Sequence, residues 1–317
     1  MFCRFGPPGA ETGRLARRKL CAILSEKADR AVETMQTREK RSSPLARAAL
    51  FALTLALICG AALLIRRAMR TQTVQDEPVT DETPQQSAAL TENGYDLTAF
   101  SMQDGFMTYS GDGTVYTGVD VSQHQGAIDW QRVKDAGVDF AIIRVGNRGT
   151  SEGAISLDDY FTDNMAGAAA AGVDVGVYFF SQAVTEDEAR EEARFVLTWI
   201  ANYDLKYPVY YDWEDVAWEA RTDGMDSLAL TACAKAFCGE IAAAGYRAGL
   251  YFNQTFGYQE FNLSELQEYT FWLASYSATP DFRYHFDVWQ YSASGTVDGI
   301  DGAVDLNLSF TDFRQEE

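Results

Sequence analysis

From Tyr116 onward the chain alternates two kinds of segment, and this alternation constrains its fold more than any other feature. Short runs rich in Val, Ile, Tyr, Phe and Trp fit strands at 118–122, 140–146, 174–181, 209–215, 247–252, 270–274, 287–291 and 303–307. Helical patterns fit between the early ones, at 129–136, 160–171, 185–200 and 227–244. Thr185 and Glu188 have capping-box spacing, and Ala189, Ala193, Val196 and Ile200 form one apolar helical face. Strands alternating with helices imply parallel pairing through right-handed crossovers. Eight strands predict an α/β TIM-like barrel; an open doubly wound sheet is the alternative. No GxGxxG or P-loop signals a nucleotide. Just upstream, FMTYS (106–110) and TVYTG (114–118) flank GDG and are expected to form a short hairpin leading into the domain.

The first hundred residues read differently. Residues 48–65 are 18 uncharged, mostly apolar positions, about 27 Å of helical rise, which meets the lower limit for a membrane span. Arg47 precedes the run, and Arg66, Arg67 and Arg70 follow it. No small-x-small cleavage site follows the run before those arginines, and the run is longer than a usual signal-peptide core, which favours an uncleaved anchor. Residues 28–47 hold five Lys/Arg and residues 66–85 hold three, which places the N-terminus in the cytoplasm. Four segments are therefore expected: a cytoplasmic basic stretch at 1–47, a transmembrane anchor at 48–65, an extracytoplasmic spacer at 66–105 and a folded domain at 106–317. The spacer is rich in Gln, Thr, Glu, Asp and Pro and shows no lasting periodicity.

Charge separates the two halves. Residues 1–70 carry 14 Lys+Arg and 5 Asp+Glu, a net of +9, whereas residues 71–317 carry 12 and 41, a net of −29. A domain this acidic repels nucleic acid. Of five cysteines, only Cys233 and Cys238 lie in the folded domain. Five residues of helix separate them by about 7.5 Å of rise, too far for an unstrained disulfide. They read as buried small hydrophobes. The histidines are His124 and His285 alone. They exclude a His-rich metal site and leave a mixed His/carboxylate site on His124 as the alternative. No metal or other cofactor is expected.

Acidic residues fall at the C-terminal ends of candidate strands, where barrel enzymes build their sites. They are Asp120 in GVDVSQHQG, Asp212 and Glu214 in YPVYYDWEDV, and Asp305 in GAVDLNLSF. Two residues apart on a strand, Asp212 and Glu214 share a face, with Cα atoms about 6.5–7 Å apart. Glycoside hydrolysis needs one protonated carboxyl for the leaving oxygen and a second to support the cationic transition state. Crowded carboxylates raise one another's pKa, which keeps an acid protonated near neutral pH. Alone, a DxE pair in an acidic protein is more often simply solvated. Aromatic residues at strand ends, namely Tyr178, Tyr251, Trp272, Trp289 and Tyr291, are candidate sugar-stacking platforms, with core packing as the competing role.

Taken in order, GVDVSQHQGAIDW (118–130), DFAIIRVGNRG (139–149), GVYFFSQA (176–183), YYDWED (210–215), FWLASY (271–276), VWQYS (288–292) and VDLN (304–307) resemble glycoside hydrolase family 25, the lysozymes that cut peptidoglycan between N-acetylmuramic acid and N-acetylglucosamine. The resemblance covers about residues 118–310. It implies a barrel of five βα units and three further strands. It implies Glu214 as general acid, Asp212 as its partner carboxylate, and catalytic-site positions for Asp120 and Asp305. Asp212 would either orient the substrate's acetamido group for neighbouring-group attack or activate water. Many family members carry His after the tyrosine of the third strand, where this chain has Phe179. The expected partner is the peptidoglycan glycan strand; a catalytically silent wall-binding protein on the same barrel is the alternative function.

Overall fold

A computed structural model describes residues 89–315. The expected cytoplasmic segment, the anchor at 48–65 and the spacer up to residue 88 lie outside the described residues. Among the described residues, no helix is long and apolar enough to cross a membrane.

Eight strands close into a barrel in the order β3 (Tyr116–Val121), β4 (Phe140–Arg148), β6 (Asp174–Ser181), β7 (Val209–Trp213), β8 (Ala248–Asn253), β9 (Thr270–Ala274), β10 (Val288–Gly295) and β11 (Val304–Ser309), and β11 pairs back onto β3. Pairing from β3 to β10 is parallel, whereas β11 runs antiparallel to both its neighbours. A short strand, β5 (Ile155–Leu157), pairs with the end of β4 outside the closed ring. Crossovers run through α1 (Trp130–Asp135), α2 (Phe161–Ala171), α3 (Glu186–Ile200), α4 (Ser227–Ala243) and α5 (Gln254–Gln259). Five βα units followed by strands without helices match the expectation, and an open sheet is excluded by the β3–β4 and β3–β11 pairings.

Helix starts follow local chemistry. The side chains of Asp129, Thr185 and Asp226 accept backbone N–H groups at the first turns of α1, α3 and α4. In the expected capping box, Thr185 accepts from Glu188 N, while the Glu188 carboxylate accepts from Val184 N. Cys233 and Cys238 are buried and free on α4.

Side chains sort by strand parity into two apolar regions. Outward positions pack beneath the helices. Inward positions fill the barrel's lower half: Phe140 stacks on Tyr207 with ring centroids 4.1 Å apart, and Phe313 meets Tyr207 at 5.1 Å. Glycines make room for these rings. A Cβ at Gly118 would run into the Phe140 ring, and one at Gly249 into Tyr210. The plug leaves the other mouth, at the C-terminal ends of the parallel strands, for polar groups.

The upstream expectations need correction. FMTYS does not pair with TVYTG. β2 (Phe106–Tyr109) instead pairs antiparallel with β1 (Phe100–Gln103), and residues 116–121 belong to the barrel. The stretch from 92 to 100, expected as spacer, is packed against the barrel. Tyr95 stacks on Phe310 at 4.0 Å and donates its hydroxyl to Phe286 O, Asn93 N donates to Arg283 O, and Phe100 meets Trp289 edge-on at 5.3 Å. β10 and β11 have no crossover helix to cover their outer faces, and this hairpin supplies the apolar cover.

Candidate active site

β3 and β11 bring the first two acids together. Asp120 and Asp305 are direct partners across the antiparallel ladder and both side chains face the barrel interior. Asp120 is 6% exposed. Its Oδ2 accepts from Gln290 Nε2 and from Asn307 Nδ2, both at 2.8 Å. Asn307 is itself fixed by Trp272, whose indole N–H donates to Asn307 Oδ1 at 2.8 Å. Burial, and then the Asp305 charge opposite, push the Asp120 carboxyl well above the usual range. Burial also raises Asp305, and a hydrogen bond from Asp120 partly offsets that rise. The two carboxyls face each other across the ladder and titrate as an interacting pair.

β7 supplies the other two. Asp212 is flanked in register by Phe180 on β6 and Tyr251 on β8. It is 6% exposed, and its Oδ1 has no hydrogen-bond partner. Burial comes first in raising its pKa, followed by the charges of Glu214 and Asp120, while the Arg144 guanidinium pulls it back down. Arg144 is held by Asp158 at 2.7 Å. Glu214 lies one residue past the end of β7 and is half-buried. Burial raises its pKa first of all, the nearby Tyr251 hydroxyl lowers it, and the Asp305 charge raises it again.

An open cleft of about 630 Å³ begins at Glu214 and runs across the ends of β8 and β9, past Tyr251, Asn253, Ala274 and Tyr276 to Asp281. Tyr276 is 59% exposed at its rim and donates to Gln290 Oε1 at 2.8 Å. Tyr251 donates to the same oxygen at 2.9 Å. A polar relay from the rim through Gln290 to Asp120 thus orders the acids from one side.

All four predicted acids meet at this mouth. Of the predicted aromatics, Tyr178, Tyr251 and Trp272 face the interior, with Trp272 centred 6.0 Å from Tyr178 and 4.7 Å from Tyr251. Trp272 is only 1% exposed, so it floors the site and orients Asn307 rather than offering a sugar a face. Trp289 and Tyr291 do not join the site. They point to the outer face of β10, where Trp289 donates to Ser275 O and Tyr291 accepts from Met107 N of the hairpin. Phe179 also points outward, 6.0 Å from Phe195 of α3, so the departure from the family's histidine lies away from the acids. Gln290, Asn307, Tyr276 and Arg144 were missed. All four sit inside the quoted motifs, and Asn307 shares a strand face with Asp305. Among the described residues, no group of three His, Cys, Asp or Glu is placed to hold a metal ion.

Several known proteins are similar to this chain. An autolytic lysozyme of Clostridium acetobutylicum is 26% identical over 191 residues, covering 60% of this chain and 54% of that protein. Lysozyme M1 of Streptomyces globisporus is 28% identical over 203 residues, covering 60% and 66%. The modular autolysin LytC of Streptococcus pneumoniae superposes with a TM-score of 0.57 at 25% identity, covering 66% of this chain and 52% of that one. The chain therefore spans about half the length of the first of these relatives and of LytC. The sequence model of glycosyl hydrolases family 25 matches residues 119–300, from β3 to just before β11, and the chain belongs to that family.

Proposed function

We propose that this protein is a peptidoglycan hydrolase of the lysozyme type, cutting the β-1,4 bond between N-acetylmuramic acid and N-acetylglucosamine. Glu214 is the general acid. It is half-buried, opens onto the cleft, and burial raises its pKa, the direction a proton donor to the leaving oxygen needs.

The observation that carries the reading is the orphaned Oδ1 of Asp212 at the bottom of a cluster of four acids. A buried acceptor without a donor is unfavourable in the free protein and gains a partner when substrate supplies an N–H. An acetamido group is such a donor. We therefore assign Asp212 the role of orienting that group for attack on the anomeric carbon, with retention of configuration. Asp120, clamped by Gln290 and Asn307 opposite Asp305, adds its charge to the field that acts on Asp212. Tyr276 offers its exposed ring to a sugar face.

The location is part of the same proposal. Residues 48–65 anchor the chain in the cell membrane, and the acid-rich stretch that follows carries the barrel outside, within reach of nearby wall glycan. A catalytically silent wall-binding barrel would have no use for an orphaned, charge-crowded Asp212. Proton NMR of the first-formed product from soluble peptidoglycan fragments tests the assignment. The β-anomer is expected first with wild type, and no product with Glu214→Gln. An α-anomer would remove the acetamido role from Asp212, and product from Glu214→Gln at the wild-type rate would remove Glu214 as the acid.

A further inference from the structure

Glu214 has a mechanical problem that its neighbours on the strand do not share. The β6–β7 ladder ends at the Ser181–Trp213 pair, and the β7–β8 ladder ends at Asp212–Tyr251. The backbone carrying the acid is therefore beyond both ladders, at the start of the long connection to α4. A general acid has to sit within about 3 Å of the oxygen it protonates, and a displacement of about 1 Å can cost about a hundredfold in rate.

Gln182, the next residue after β6, continues the ladder with its side chain. It is fully buried. Its Nε2 donates to Glu214 O at 3.0 Å and to Ser181 O at 2.9 Å, and its Oε1 accepts from Thr222 Oγ1 at 3.1 Å. Its own carbonyl accepts from Arg221 at 2.9 Å. Arg221 in turn grips the Glu188 carboxylate with both terminal nitrogens, at 2.6 and 2.9 Å. The connection that begins at Glu214 is thus tied at three points, Glu214, Arg221 and Thr222, to one residue. We propose that Gln182 is a positioning residue for Glu214, its amide replacing the missing rung and holding the acid's backbone at the cleft. This rests on the assignment of Glu214 as general acid.

The test uses the purified full-length chain carrying Gln182→Leu, with Thr222→Val as the milder variant. On soluble peptidoglycan fragments, kcat of Gln182→Leu should fall about 10- to 100-fold while KM stays within about threefold. The alkaline limb of the pH–rate profile should move to lower pH, because a displaced Glu214 returns toward the ordinary carboxyl range. A merely structural role would lower Tm and leave that limb in place. Thr222→Val should shift the limb in the same direction by less, and it decides the matter if Gln182→Leu fails to fold. Unchanged kcat and an unchanged limb in the folded variants overturn the proposal. If wild type releases no product, the hydrolase reading fails separately, and carboxyl ¹³C titration of Glu214 in wild type and variant decides: a lower pKa in the variant supports positioning, and identical curves overturn it.

Discussion

Asp212→Asn should make the protein more stable and inactive at once. Asp212 is 6% exposed, its Oδ1 has no donor, and it stands beside Glu214 and Asp120 with only Arg144 drawing its pKa down. An orphaned neutral buried group costs about 1–3 kcal/mol, and a charged one more. The amide keeps the shape and one orphaned atom but removes the charge, which leaves a gain of about 1–2 kcal/mol. For a domain of this size each kcal/mol moves Tm by about 2–4 °C, so an increase of about 2–8 °C is expected at pH 8. The folded-state pKa of Asp212 is raised, so its contribution to stability is fully present below the unfolded value of about 3.9 and is lost as pH rises through the folded value. The difference between variant and wild type should therefore grow from acid to alkaline pH. Calorimetric unfolding at pH 4 and pH 8 reads it directly. A variant no more stable than wild type at pH 8 would refute the claim that Asp212 is held in an unfavourable state for substrate.

Three further outcomes follow from the packing and the sequence. Tyr276→Ala should raise KM about two- to tenfold through loss of a stacking face, whereas Tyr291→Phe, on the outer face of β10, should leave KM unchanged; steady-state kinetics separates them. Gly118→Ala forces a methyl into the Phe140 ring and should lower stability by about 1–3 kcal/mol, read by chemical denaturation. Protease added to intact, wall-stripped cells should remove the barrel if residues 48–65 anchor it with the domain outside, and protection of the barrel would contradict that topology.

The barrel was legible because short apolar, β-branched and aromatic runs alternating with helical patterns have few other solutions, and all eight strands fall where the pattern put them. The acids were legible because a strand end on a barrel has a defined direction. Parity was the weak point. VWQYS offers Trp289 and Tyr291 on one face and Gln290 on the other, and aromatic character drew attention to the face that is buried under the hairpin. Local sequence could not show that hairpin's partner either. TVYTG is a good strand for any neighbour, and pairing with both β11 and β4 outcompetes a two-stranded ribbon. The helix α5 (QTFGYQ) escaped notice because six residues with a central glycine carry no 3.6-residue period. Gln182 was invisible because its role depends on where two ladders stop.

The most direct measurement is mass spectrometry of borohydride-reduced fragments from purified peptidoglycan digested with the full-length protein. New reducing ends at N-acetylmuramic acid, absent when Glu214→Gln replaces wild type, are the predicted result. Reducing ends at N-acetylglucosamine, or no new reducing ends at all, would contradict the account.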